Sequence, residues 1–153
     1  MAKLYFHYST MNAGKSTLLL QAAHNYLERG MKTYLLTAHF DHRTGEGKIA
    51  SRIGVEKAAD TFATGENLYQ KIERRLSARP CDCIFIDEAQ FLEHSQVWQL
   101  AQAVDDLKVP VMCYGYGLIF RANCFLARQL FWRLRMKCEK SEPSVIAVKK
   151  PRW

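Results

Sequence analysis

The sequence predicts an α/β domain, a parallel sheet flanked by helices, on three observations. A short β-prone run, Lys3–Tyr8, leads through a turn at Ser9-Thr-Met-Asn-Ala-Gly14 into a helical stretch, Lys15–Arg29, and on to a second β-prone run, Lys32–Thr37. Strand, turn, helix, strand is how a parallel sheet begins. A further apolar run, Cys83-Ile-Phe-Ile86, stops at Asp87-Glu88, as a strand buried on both faces does where its carboxyl end meets a polar edge. Helix and strand patterns then continue to alternate through Val97–Leu107 and Val109–Tyr114.

Taken in order, Lys3–Tyr8 is largely apolar and short enough for a buried strand. In Lys15–Arg29 the residues Leu18, Leu19, Ala22, Ala23 and Tyr26 fall near helical spacing, and Gly30 stops the run. Residues 38–60 are rich in glycine, histidine and charge and read as a long loop, a length usually tied to function or mobility. Asn67–Leu76 reads as a helix. Cys81 and Cys83 enter the next strand two residues apart, which places both on one face as core thiols rather than metal ligands. After Gly115 the pattern changes. Residues 116–135 mix bulky apolar residues with arginine, Leu126, Leu130 and Leu134 form a weak helical stripe, and 141–153 show no clear element. The expected division is a nucleotide-binding domain over 1–115 and a basic, poorly ordered tail over 116–153.

With 153 residues, 48% hydrophobic and 24% charged, the chain holds enough apolar material for one core and shows no sign of global disorder. It contains no run of about 18 apolar residues, which excludes a membrane-spanning helix, and its start lacks the apolar stretch of a signal peptide. Five cysteines, an odd number, argue against a disulfide scaffold. Together these point to a cytoplasmic protein. The net charge of +7 would ordinarily suggest a nucleic-acid partner, but its distribution argues otherwise: residues 1–115 carry 13 basic and 13 acidic side chains, while 116–153 carry 9 basic and 2 acidic ones. The histidines His7, His24, His39, His42 and His94 share no ligand spacing, so structural or surface roles are expected of them.

The chemistry is concentrated at two places. Ser9-Thr-Met-Asn-Ala-Gly-Lys-Ser16 lies between a strand and a helix and matches a phosphate-binding loop except at its first position, where Ser9 replaces glycine. Gly14 lets backbone N–H groups approach phosphate oxygens, the helix after it aims its positive end at them, Lys15 would neutralise the β- and γ-phosphates, and Ser16 would help to hold Mg²⁺. The plain alternative is an ordinary turn into a helix. Asp87, at the carboxyl edge of its strand, suits Mg²⁺. Glu88, expected to point elsewhere because strand side chains alternate, could take a proton from an attacking hydroxyl. The plain alternative there is a pair of acids that caps the strand.

The order of motifs is more specific than any one of them. Ser-x-Met-Asn-Ala-Gly-Lys-Ser-Thr, Glu28-Arg-Gly30, Asp41-x-Arg43 with Gly45, Ser51-Arg-Ile-Gly54, Asp87-Glu88-x-Gln90-Phe91 and Pro110-Val-x-Cys-Tyr-Gly115 together resemble the thymidine kinases of the bacterial and human cytosolic type, over about residues 1–115. The resemblance implies ATP-dependent phosphorylation of the 5′-hydroxyl of thymidine by a P-loop domain that assembles as a homotetramer. It implies that ATP is bound by residues matching Ser9, Thr10, Met11, Asn12, Ala13, Gly14, Lys15 and Ser16 and by those matching Asp87, Glu88, Ala89 and Gln90, and that Glu88 is the general base. It places Asp41 and Arg43 near the phosphates and metal, and Met11 and Phe91 near the thymine pocket. On the residues alone, Asp41 and Arg43 read equally as a solvated ion pair.

After Gly115 the resemblance stops. The family continues with Leu-Arg-Thr-Asp-Phe and a small zinc domain whose lasso closes over the nucleoside. Cys124 and Cys138 have no partner at ligand spacing, so no zinc site is expected. The tail reads instead as a frameshifted copy of the family's continuation: one T removed from codons for Gly-Leu-Arg-Thr-Asp-Phe gives Gly-Tyr-Gly-Leu-Ile, as found at 115–119. The chain is therefore expected to be a truncated kinase, with a phosphate site and impaired thymidine turnover. The alternatives are an inactive nucleotide-binding fragment and a basic-tailed nucleic-acid binder.

Overall fold

A computed structural model describes residues 2–9, 14–39, 47–50, 54, 56–116, 137–142 and 145–149. Among them, β1 (Leu4–Ser9) is followed by α1 (Lys15–Glu28), β2 (Thr33–Ala38), β3 (Lys48–Ala50), β4 (Glu56–Ala58) and β5 (Asp60–Phe62). Then come α2 (Leu68–Ala78), β6 (Cys83–Ile86), a 3₁₀ turn (Ala89–Phe91), α3 (His94–Leu107), β7 (Val111–Tyr116), β8 (Lys137–Glu142) and β9 (Val145–Lys149). The main sheet runs β5-β2-β6-β7-β1-β9-β8. Its first five strands are parallel; β9 joins β1 antiparallel and β8 joins β9. The parallel α/β architecture expected from the sequence is what the chain adopts. The stripe at Leu126, Leu130 and Leu134 lies outside the described residues.

The central strands explain themselves. All four residues of β6 are buried, because a parallel strand with helices on both faces has no polar side to show. Alternate residues go to opposite layers. Leu36, Ile84, Ile86 and Val111 pack with Leu68, Ile72, Leu100 and Val104 of α2 and α3, whereas Leu35, Phe85 and Tyr114 pack with Leu19, Leu20 and Ala23 of α1 and Ile49 of β3. The sheet is the middle of three layers.

The helices are bounded by local chemistry. Asn67 caps α2, its side chain accepting from the Gln70 N–H at 3.1 Å; Arg79 then turns extended before Pro80. At the start of α3, Glu93 and Gln96 form a reciprocal capping box, which begins the helix at His94, a turn earlier than its apolar pattern suggests. At its end Lys108 takes the left-handed conformation, φ 59°. Pro110, without an N–H, precedes β7, and its carbonyl accepts from the Ile84 N–H at 3.0 Å.

Four further readings differ from the structure. The stretch 38–60, expected as a loop, includes the β3–β4 hairpin and the first residue of β5; these strands have three residues each and bury little besides Ile49 and Phe62, too little to create a period. On α1, Leu18 is 53% exposed while Leu20 is buried. Cys81 and Cys83 are both core thiols, but they enter different layers, because Cys81 precedes the strand and does not obey its alternation. The ending for which the residues suggested no element contributes β8 and β9.

Candidate active site

Gly14 begins α1 in the left-handed conformation, φ 71°. An added Cβ there would meet nothing within 4 Å, so the requirement for glycine is conformational rather than steric. The first turn of α1 has neither a side-chain cap nor an acidic residue. Its positive end is thus left for an anion, as a phosphate-binding helix requires. Lys15 and Ser16 occupy this turn, both partly buried.

The opposing half grows out of β6. The Asp87 N–H donates to the Leu36 carbonyl at 2.8 Å, which prolongs the sheet ladder by one bond and points the carboxylate over the sheet edge. Its Oδ2 accepts from the Ser16 hydroxyl at 3.0 Å, and its Oδ1 accepts from the Glu88 N–H at 2.9 Å. Residues 71 apart in sequence thereby meet. Glu88 itself sits at φ 54°, ψ 41°, a conformation uncommon outside glycine and asparagine. This turn, not strand alternation, sets its direction. The Gln90 amide Nε2 donates to Glu88 Oε2, and the Phe91 N–H to the Glu88 carbonyl at 3.1 Å. Asp87, Glu88 and Gln90 are buried at 4%, 6% and 6% exposure, whereas Phe91 is 48% exposed at the rim.

Between the two halves runs β7. In the sheet it separates β6 from β1, and its Gly115 pairs with Tyr8 in register. A Cβ at Gly115 would lie 3.0 Å from the Gln90 nitrogen and 3.1 Å from Gln90 Oε1. The acidic turn folds down onto β7 only because this position lacks a side chain. The sequence reading used Gly115 merely to close a motif and missed this contact; a glycine at the carboxyl end of a strand was the available signal.

The structure therefore gathers Gly14, Lys15, Ser16, Asp87, Glu88, Ala89, Gln90 and Phe91 at one edge, with Ser9 ending β1 there. Thr10, Met11, Asn12, Ala13, Asp41 and Arg43 lie outside the described residues. The arrangement offers a cationic helix start facing hard oxygen donors and a buried carboxylate. Among the described residues no helix is long and apolar enough to cross a membrane.

Comparison with known proteins agrees with the geometry. A family profile described as thymidine kinase matches residues 2–139. The chain is 65% identical over 125 residues to a thymidine kinase of Jannaschia sp. (strain CCS1), covering 82% of this chain and 64% of that protein. It is 60% identical over 125 residues to one of Ruegeria pomeroyi (82% and 63%), and 55% identical over 130 residues to one of Xanthomonas campestris pv. campestris (84% and 62%). The chain thus spans less than two thirds of the length of these relatives. A profile running from the first strand into β8, and identity of this order over more than four fifths of the chain, make it a member of the thymidine kinase family.

Proposed function

We propose that the chain transfers the γ-phosphoryl group of ATP to the 5′-hydroxyl of thymidine, with impaired turnover, in the cytoplasm. The observation that carries this reading is the 3.0 Å contact of Ser16 with Asp87, which ties the phosphate-loop helix to the acidic turn. A hydroxyl and a carboxylate so juxtaposed are hard oxygen donors, and Ser16 and Asp87 would be the residues that hold Mg²⁺. When bound, the ion offsets charge on the phosphates.

The chain's own residues do the rest. The backbone of residues 9–16 cradles the phosphates, and Lys15 stabilises charge that builds on the transferred group. Glu88 accepts the hydroxyl proton as the oxygen attacks phosphorus, and burial excludes competing water. Asp87 through Gln90 border the nucleotide, Asp41 and Arg43 serve the phosphates and metal, and Met11 and Phe91 flank the thymine. Incubating the full chain with γ-labelled ATP, Mg²⁺ and thymidine tests this. The expected outcome is labelled thymidine monophosphate, with Glu88→Gln lowering turnover about 10²–10⁴-fold while nucleotide binding persists. Nucleotide binding with no transfer to thymidine would overturn the kinase reading.

A further inference from the structure

The geometry points to Gln90 as a positioning residue that holds the Glu88 carboxylate for proton transfer, with Gly115 as the seat that lets it do so. This rests on the proposed role of Glu88. The backbone of Glu88 is pinned on both sides, by its N–H to Asp87 and its carbonyl to Phe91, yet that leaves the side chain its rotamers. Gln90 acts on the side chain directly: its Nε2 donates to Glu88 Oε2, and both residues are buried.

The orientation of the amide is informative. Gln90 Oε1 is buried and accepts no hydrogen bond among the described residues. An amide turned the other way would set its oxygen against the carboxylate, acceptor facing acceptor. The amide leaves its own oxygen unsatisfied and presents its nitrogen to Glu88, a donor meeting an acceptor. Gly115 completes the device. With a methyl group in its place, both the Gln90 backbone nitrogen and Oε1 would be approached to about 3 Å, and the amide would be pushed away from its partner.

The test uses the full chain. Gln90→Met keeps the volume and loses the donor. It is expected to lower kcat about 10–100-fold, with a smaller change in KM for thymidine; Gly115→Ala should lower kcat in the same way and also cost some melting temperature, because its methyl group meets the Gln90 backbone. In a Glu88→Gln background, Gln90→Met should cost nothing further, whereas a merely structural role would add in full. A second arm needs no activity. In the parent chain the Gln90 side-chain amide should exchange slowly by NMR, and Glu88→Ala should release it. An additive cycle, or an amide indifferent to Glu88→Ala, overturns the inference. A parent chain that phosphorylates nothing overturns the kinase reading alone, and the amide measurement then decides whether Gln90 holds Glu88.

Discussion

Both carboxylate oxygens of Asp87 have donors within the chain, Ser16 for one and Glu88 for the other. At 4% exposure, water cannot replace a donor that is removed. Ser16→Ala is therefore expected to lower stability by about 1–3 kcal/mol, measured by urea unfolding, in addition to weakening Mg²⁺-dependent nucleotide binding. Gly14 fails differently. Its surroundings are open, so Gly14→Ala should cost only the conformational penalty of a left-handed alanine, about 1–2 kcal/mol, with binding of inorganic phosphate or ATP weakened as the loop distorts. These residues were legible in the sequence because a glycine and a hydroxyl at fixed spacing before a helix have a local meaning. Gln90 was named only through its motif, and its contact with Gly115 was not legible, since that close approach is between residues 25 positions apart and no spacing rule anticipates it.

Among the elements, α3 does more than cover the sheet. Gln96, 1% exposed, accepts from the Glu93 N–H at 3.0 Å and donates to the carbonyls of Ala63 at 2.8 Å and Glu66 at 3.1 Å. Glu93 accepts from the Gly65 N–H at 2.9 Å, and Gln99 from the Leu68 N–H at 2.9 Å. The helix start thereby fixes the connection from β5 into α2. Gln96→Leu would take one hydrogen bond from each of three backbone groups, of which Ala63 keeps its bond from the Glu66 N–H, and is expected to destabilise the fold by about 2 kcal/mol, read by thermal unfolding. β6 was visible as an apolar run ending in acids; β3, β4 and β5 were not, because three-residue strands that bury little besides Ile49 and Phe62 carry no periodicity. The helix boundary at His94 escaped for a related reason: a Glu-x-x-Gln box caps through side chains, and apolar spacing does not register it.

At the scale of the whole molecule, the buried thiols make stability depend on alkaline pH. Burial pushes Cys81 to about 11 and Cys83 to about 12 from an ordinary value of 9.0, and raises Cys113 as well. Between pH 9 and these values the unfolded chain has released thiol protons that the folded chain retains. Stability should therefore be constant with respect to these groups below about pH 8 and fall as pH rises from about 9 to 12. Urea midpoints at pH 8 and pH 10 check the sign, and replacing Cys81 and Cys83 by alanine should flatten the slope. The three-layer α/β arrangement was legible from alternating patterns; the strand order was not, because pairing partners are chosen by crossovers rather than by composition. That order has a further consequence. β1 precedes β2 to β6 in the chain, yet among the described residues its partners are β7 and β9. While the chain emerges from the ribosome, the strand that leads to Gly14 and Lys15 lacks both of these partners until residues 111–116 are available. Nucleotide affinity should therefore switch on late in synthesis, in one step.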